Sequence, residues 1–495
     1  MTDTTPDIQV VNTLFGRRTI YTTSDFINSD NIIEMVNNAL AYHVQNLLEE
    51  EYLYWYRRNL TPVLSRTKEI RPEINNKVSA NIAGSIVDFK NGYFLTKPAC
   101  YVSRNEESQD KVNQLNEYLY RSGKQQVDNK LADWFHTVGK AALLIQPNDD
   151  PDVPVKAFCL DPRGAFVAYS MNAGNDPVLG VHMVVADGKL FIDAYTTREV
   201  FRLSGTTTGR YMTSQPTFEA TAVNIDAVEP NVLGRIPIIE YSYNSVNMGA
   251  FEGAVDLLDA INTAESNRLD GLEQFIQSLI VTWNCKFEEG TTANNIRQYG
   301  MVNLVASGDN RQDLKILSEQ LDQGQTQTLI DDLYERVMSI CAMPSTTRSS
   351  RVYDVTGEGA LTALGWYQAD AAARNTEDLF KESNAKFDEI FVDILKRKNL
   401  LDIKMSDFEL QIVRNETANV QSKAQAFQTL MAAGLHPELA AGKSGISNDP
   451  VGDMQMSEQY IKMRWGDPDA PIQQPQTEII ESDRFTGDND TGGAI

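Results

Sequence analysis

Histidine, cysteine and positive charge are all scarce in this chain, and each scarcity removes a class of function. The four histidines (His43, His136, His182, His436) and four cysteines (Cys100, Cys159, Cys285, Cys341) lie far apart. None has metal-ligand spacing to another, so no metal site is expected. Scattered thiols without a C-x-x-C pair point to reduced cysteines in a reducing compartment. Lys and Arg number 44 against 68 Asp and Glu, a formal net charge of −24. That balance argues against tight general binding to nucleic acid, because counterion release needs clustered bases. It leaves room for a surface along which nucleic acid slides without sticking. No apolar run reaches the length of a membrane span, and the polar, acidic start lacks a secretory signal.

Catalytic patterns are missing too. There is no G-x-S-x-G elbow and no P-loop. Gly357-Glu358-Gly359 has neither a third glycine nor a preceding strand, and reads as a helix start. Asp149, Asp150 and Asp152 form either a solvated loop or a weak cation site. Asp488 and Asp490 open a calcium-loop pattern that the chain ends too soon to complete. No cofactor and no enzyme activity are expected.

What is present is a chain of 495 residues, 42% hydrophobic, enough for two to four globular domains. It is organised around residues 323–399. Leu329, Ile330, Leu333, Tyr334, Val337, Met338 and Cys341 recur at helical spacing and predict an amphipathic helix over 323–343. Pro344 ends it. A polar loop follows, and a long helix then runs from about Gly359 to Lys398. Upstream, residues 251–280 predict another long helix. Its stripe is Val255, Leu258, Ile261, Leu269, Leu272, Phe275, Ile276 and Leu279, and its middle, at Ala264 and Glu265, is polar enough to lie near water.

The N-terminal part alternates in character. Residues 28–58 predict a helix capped by Ser29 or Asp30, with Glu34 in its first turn. Its end, Tyr52, Tyr54, Trp55, Tyr56, Arg57 and Arg58, is either a packed helix end or a subunit interface. Helices are predicted over 73–91, opened by Pro72 and closed by Gly92, and over 109–120 and 126–137. Short β-branched runs at 141–146, 155–160, 165–169, 181–185, 190–195 and 200–203, with turn signals between them, predict an antiparallel sheet. A strand at 235–241 closes it, with Pro237 at an edge or strand start. Residues 281–317 predict a small α/β insertion, with strands at 281–283, 301–305 and 314–317 and a helix at 291–299. A strand at 407–414 and helices at 417–433 and 454–463 follow. The tail from Gly466 has seven acids against one base and reads as disordered.

Two sets of residues are candidates for contact with a phosphate backbone. In the polar loop, Arg348 and Arg351 stand among Thr346, Thr347, Ser349 and Ser350, and guanidinium and hydroxyl groups suit phosphate oxygens. The alternative is pairing with carboxylates of a neighbouring chain. Lys396, Arg397 and Lys398 end the long helix, where they either offset its dipole or form a basic ring.

The order of these parts resembles the portal proteins of tailed double-stranded-DNA bacteriophages, the siphophage type in particular. The resemblance rests on four stretches: Val87-Asp88 with Gly92-Tyr93-Phe94-Leu95-Thr96-Lys97-Pro98 and Tyr101; Gly234-Arg235-Ile236-Pro237-Ile238-Ile239-Glu240-Tyr241 followed by Asp256-Leu257-Leu258-Asp259-Ala260-Ile261-Asn262; the insertion leading into 323–343; and Thr356-Gly357-Glu358-Gly359-Ala360-Leu361. It implies an α+β, mostly helical fold. Residues 1–250 would form a wing, 251–280 a stem helix, 281–322 a clip, 323–343 the second stem helix and 344–356 a tunnel loop. The long helix and wing return would take 357–415, a crown 416–465 and the acidic tail 466–495.

The resemblance also implies a ring of about twelve copies at one capsid vertex. DNA is packaged and ejected through such a ring, which also nucleates head assembly. Its partners would be the DNA, the large subunit of the terminase motor, a head-completion or adaptor protein at the clip, and the major capsid and scaffold proteins. It would be found in the virion, and in the host cytoplasm during assembly. The alternatives are another head–tail connector, adaptor or virion scaffold protein, and a hydrolase using buried acids.

Overall fold

The computed structural model describes residues 8–10, 16–24, 26–69, 72–207, 220–276, 279–283, 285–287, 304–306, 313–317, 323–344, 365–412, 420–447, 452–453, 456–457 and 460. The chain divides into two compact units, Met1–Thr417 and Ala418–Ile495.

In the first unit β1 (Ile8–Val10) and β2 (Ile20–Thr22) precede α1 (Ile32–Arg57). The N-cap of α1 is Asn31, not Ser29 or Asp30. The Asn28 side chain accepts the N–H groups of Asp30 (2.9 Å) and Asn31 (3.2 Å), and that turn delays the helix start. Helix α2 (Ile82–Phe94) starts nine residues later than expected and runs through Gly92. After it come β3 (Cys100–Ser103), α3 (Gln109–Arg121), α4 (Lys124–Val138), β4 (Lys140–Pro147), β5 (Val155–Leu160), β6 (Ala165–Ser170), β7 (Pro177–Ala186), β8 (Lys189–Tyr195), β9 (Glu199–Thr207), β10 (Ala220–Pro230) and β11 (Ile238–Ser242).

The predicted single antiparallel sheet is in fact two sheets. One has seven strands in the order β1-β2-β6-β7-β8-β9-β10 and the other three, β11-β4-β5. All pairs are antiparallel except β2 with β6. Pro237 lies just before β11, an edge strand, where its missing N–H breaks no ladder bond.

Helix α1 lies on the seven-stranded sheet. Ile32, Val36, Leu40 and Leu47 on its buried face meet Phe166, Val181, Ile192 and Phe201. The predicted aromatic end of α1 packs within the chain. Tyr54 stacks on Trp134, Tyr56 stacks on Phe251, and the Arg163 guanidinium sits 4.1 Å from the Tyr54 ring centre. Arg163 also pairs with Glu51 (2.6 Å) and Asp161 (2.6 Å), so this buried cation is matched on two sides.

The rest of the unit comprises α5 (Val255–Ile276), β12 (Leu279–Trp283), β13 (Cys285–Phe287), β14 (Leu304–Ala306), β15 (Asp313–Leu317), α6 (Gln323–Ile340), α7 (Trp366–Arg397) and β16 (Phe408–Gln411). β16 returns to pair with β3, Leu410 opposite Tyr101. Helix α7 packs Phe380, Phe387 and Phe391 into the core made by α3, α4 and the three-stranded sheet. The second unit holds α8 (Val420–Ala432) and α9 (Pro437–Ser444), joined across Gly434 in the left-handed conformation. His436 stands at the N-cap of α9. The expected helices at 291–299 and 454–463 and the acidic tail fall wholly or mostly outside the described residues.

Candidate functional site

Helices α5 and α6 pack as a pair, and the anchorage of that pair begins in the turn ahead of α5. Gly139, at φ 90°, ends α4, and a Cβ there would stand 2.0 Å from the Asn247 oxygen, so only glycine permits this approach. Ala250 N–H donates to His136 O at 2.7 Å, and buried Arg17 pairs with Glu252 at 2.5 Å. These bonds fix the start of α5 on the end of α4.

Helix α5 then presents a line of three polar side chains at four-residue spacing: Asn262, Ser266 and Asp270, all buried. Each accepts a backbone N–H from the extended segment before α2. Ala80 donates to Asn262 (3.0 Å), Val78 to Ser266 (2.9 Å) and Asn76 to Asp270 (2.7 Å). Two extended residues advance about 6.7 Å and four helical residues about 6 Å, so the rungs stay in step. Arg66 (3.2 Å) and Lys68 also reach Asp270, and these contacts hold its carboxyl below the ordinary range despite burial. This is why residues 73–81 are not helical: their donors are taken by α5. The middle of α5, given to water by the sequence reading, is therefore partly covered by the chain itself.

Helix α6 lies along α5, and both pack onto α1 and α2 through Leu258, Ile261, Ile330, Val337 and Met338. The predicted stripes are only partly buried. Leu269 (43%), Leu272 (45%) and Leu329 (53%) are exposed. The two helices carry Asp256, Asp259, Glu265, Asp270, Glu273, Asp331, Asp332 and Glu335 against Arg268 and Arg336. Both bases are engaged within the pair, Arg268 with Gln327 (2.5 Å) and Arg336 with Asp332 (2.9 Å). Beyond α5 the chain makes two short ladders, β12 with β15 and β13 with β14.

At its other end α6 stops at Ile340. Ala342 takes φ 48°, and Met343 N–H closes back on Met338 O at 2.8 Å, so the turn is complete before Pro344. Gly365, at φ 82°, opens α7 beside this point. A Cβ on it would lie 3.7 Å from Met343 O and 3.9 Å from the Pro344 Cα. Residues 345–364 thus leave and return at one place, between the end of α6 and the start of α7.

Thr346, Thr347, Arg348, Ser349, Ser350 and Arg351 belong to that stretch and lie outside the described residues, as does Gly357-Glu358-Gly359. Lys396, Arg397 and Lys398 sit at the far end of α7, roughly 48 Å away along its 32 residues. Each has a partner in its own chain. Lys396 pairs with Asp402 (3.1 Å), Arg397 with Asp393 (2.8 Å) and Val232 O (2.9 Å), and Lys398 with Asn148 O. Of the acidic turn, Asp152 meets Arg121 at 3.3 Å and Asp150 accepts its N–H. The polar line on α5 was the feature missed from sequence, although Asn262, Ser266 and Asp270 at i, i+4 and i+8 were there to be seen.

A family model described as "Phage portal protein, SPP1 Gp6-like" matches residues 37–457. Among solved structures the chain is similar to one titled "Neck of empty GTA particle computed with C6 symmetry", at 13% identity and TM-score 0.43, over 74% of this chain and 91% of that one. No curated protein matches the chain.

Proposed function

This chain belongs to the SPP1 Gp6-like family of phage portal proteins, and on that premise we propose that it closes into a ring through which double-stranded DNA enters and leaves the head. The observation that carries the reading is the stem: two acidic, antiparallel helices with short ladders at one end and, at the other, a 345–364 excursion that starts and ends at one point. An acidic wall repels phosphate, so it suits a conduit that must not trap DNA. In this reading the excursion carries the tunnel loop, with Arg348 and Arg351 toward the channel. Residues 281–322 form the clip, where the terminase large subunit and then a head-completion or adaptor protein dock. Residues 1–250 with 357–415 form the wing and 416–465 the crown. The major capsid and scaffold proteins are the partners during head assembly, and the portal vertex is the final location. Exposed Leu269, Leu272 and Leu329 support a neighbouring copy against the stem.

The test is native mass with electron microscopy of the purified protein. About twelve chains of 55.3 kDa, near 660 kDa, with an axial hole are expected. A small closed dimer overturns the proposal. The loop assignment has its own test: Arg348→Ala with Arg351→Ala lowers DNA packaging, and normal packaging counts against DNA contact.

A further inference from the structure

Beneath the place where α6 ends and α7 begins lies a small pocket with an uncommon wall. Lys90 of α2 is aimed into it and is only 8% exposed. No carboxylate lines the pocket, and the Lys90 ammonium finds no hydrogen-bond acceptor or ion-pair partner among the described residues; its nearest support is the Tyr243 ring, 5.8 Å away. The Tyr243 hydroxyl and the buried Cys341 thiol beside Lys90 also have no acceptor among the described residues. His136, on the same wall, turns Nδ1 to Asn91 at 2.6 Å. The α6–α7 side is made of small residues, Ala342, Ala369, Ala372 and Ala373, which leave the space open. Among the described residues the pocket therefore brings together a cation and the Tyr243 hydroxyl and gives neither an acceptor.

An unpaired buried ammonium is costly, and the cost is removed by neutralising it or by supplying an anion. Burial does pull Lys90 down to about 8 and push Cys341 up to about 11. We propose that this pocket is a binding site for a small monovalent anion, halide or carboxylate in kind, held by Lys90 with Tyr243. A bound anion joins α2 to the adjoining ends of α6 and α7, which are the two feet of the 345–364 excursion. The site stands on this geometry alone and does not depend on the portal reading.

The test uses the full chain at constant ionic strength, with sodium gluconate replaced stepwise by bromide or by formate. The melting temperature of the wild type is expected to rise with bromide, formate or both, and the responding anion identifies the class. Lys90→Met weakens the response at least tenfold. Tyr243→Phe, which keeps the ring, weakens it several-fold and serves as the readout if Lys90→Met does not fold. An anomalous bromide peak within hydrogen-bond reach of Lys90 supports the site. Equal responses in wild type and variants, no response to either anion, or bromide only on exposed bases (an adventitious ion only) overturns it.

Discussion

The layer of α1 on its sheet and the α5–α6 pair obey the same helical periodicity with different outcomes. In α1 the stripe residues Ile32, Val36, Leu40 and Leu47 are at most 2% exposed, and only Leu48 of that stripe is exposed, at 38%. In the α5–α6 pair, Leu258 and Ile261 are as deeply buried, but Leu269, Leu272 and Leu329 stand 43–53% exposed. A periodic stripe records which residues need an apolar partner, not whether that partner is in the same chain. The α1 layer finds its partner in cis. The half of the α5–α6 pair nearer β12 does not, and covering three leucines that are already about half buried would add about 1 kcal/mol for each.

The most damaging change expected is therefore in the α5–α6 pair. Leu269→Asp with Leu272→Asp should abolish assembly, read as loss of the high-mass species, while circular dichroism of the separated chain stays as in the wild type. Persistence of the assembly would erase the contrast with α1. The core around α7 should respond in the other way. Phe391→Ala, at a fully buried position in the α7 core, should cost about 3–5 kcal/mol in denaturant unfolding because it leaves a cavity. Next comes the rung at Asp270. Asp270→Ala removes the acceptor of Asn76 and the partner of Arg66 and Lys68, and should cost about 1.5–3 kcal/mol. Hydrogen exchange at Asn76 and Val78 should quicken with it, whereas unchanged protection would show that α5 does not hold this segment.

A separate effect is a pH dependence in the core around α7. Asp388 accepts from Tyr101 and from Asn384 (3.0 Å), and burial raises it from 3.8 to about 7. Between these values the folded state holds a proton that the unfolded state has lost. Its contribution to stability is therefore present below about pH 4 and is lost as pH rises through 7. Asp388→Asn should flatten that slope, gaining at pH 8 relative to the wild type and showing no gain at pH 4. Parallel pH profiles would contradict the assignment.

Much of this architecture was legible in the residues. The succession of two helices and a third, longer one followed from Pro344 and the apolar spacing of Ile330, Val337 and Met338, although the long helix is described only from Trp366 and not from the expected Gly359. Strands β4 to β9 followed from β-branched runs between turn signals. Three features were not legible, each for a physical reason. Residues 73–81 look helical, but their backbone donors are drawn off by side chains nearly 190 positions away. β10 was missed because register shifts at Thr221/Asn224 and Ile225/Ala227 break its two-residue alternation. The division into two sheets was hidden because β2 joins β6 in parallel across more than 140 residues. In the candidate site, the polar middle of α5 was readable, but the buried ladder was not, since a polar line on a helix looks the same whether it meets water or an extended segment.

The measurement that tests the central contrast most directly is a high-resolution cryo-electron microscopy map of the assembled protein, read at Leu269, Leu272 and Leu329. The account predicts a closed ring in which a neighbouring subunit covers all three. A ring that leaves them facing water, or a protein that remains monomeric and stable with them exposed, would contradict it.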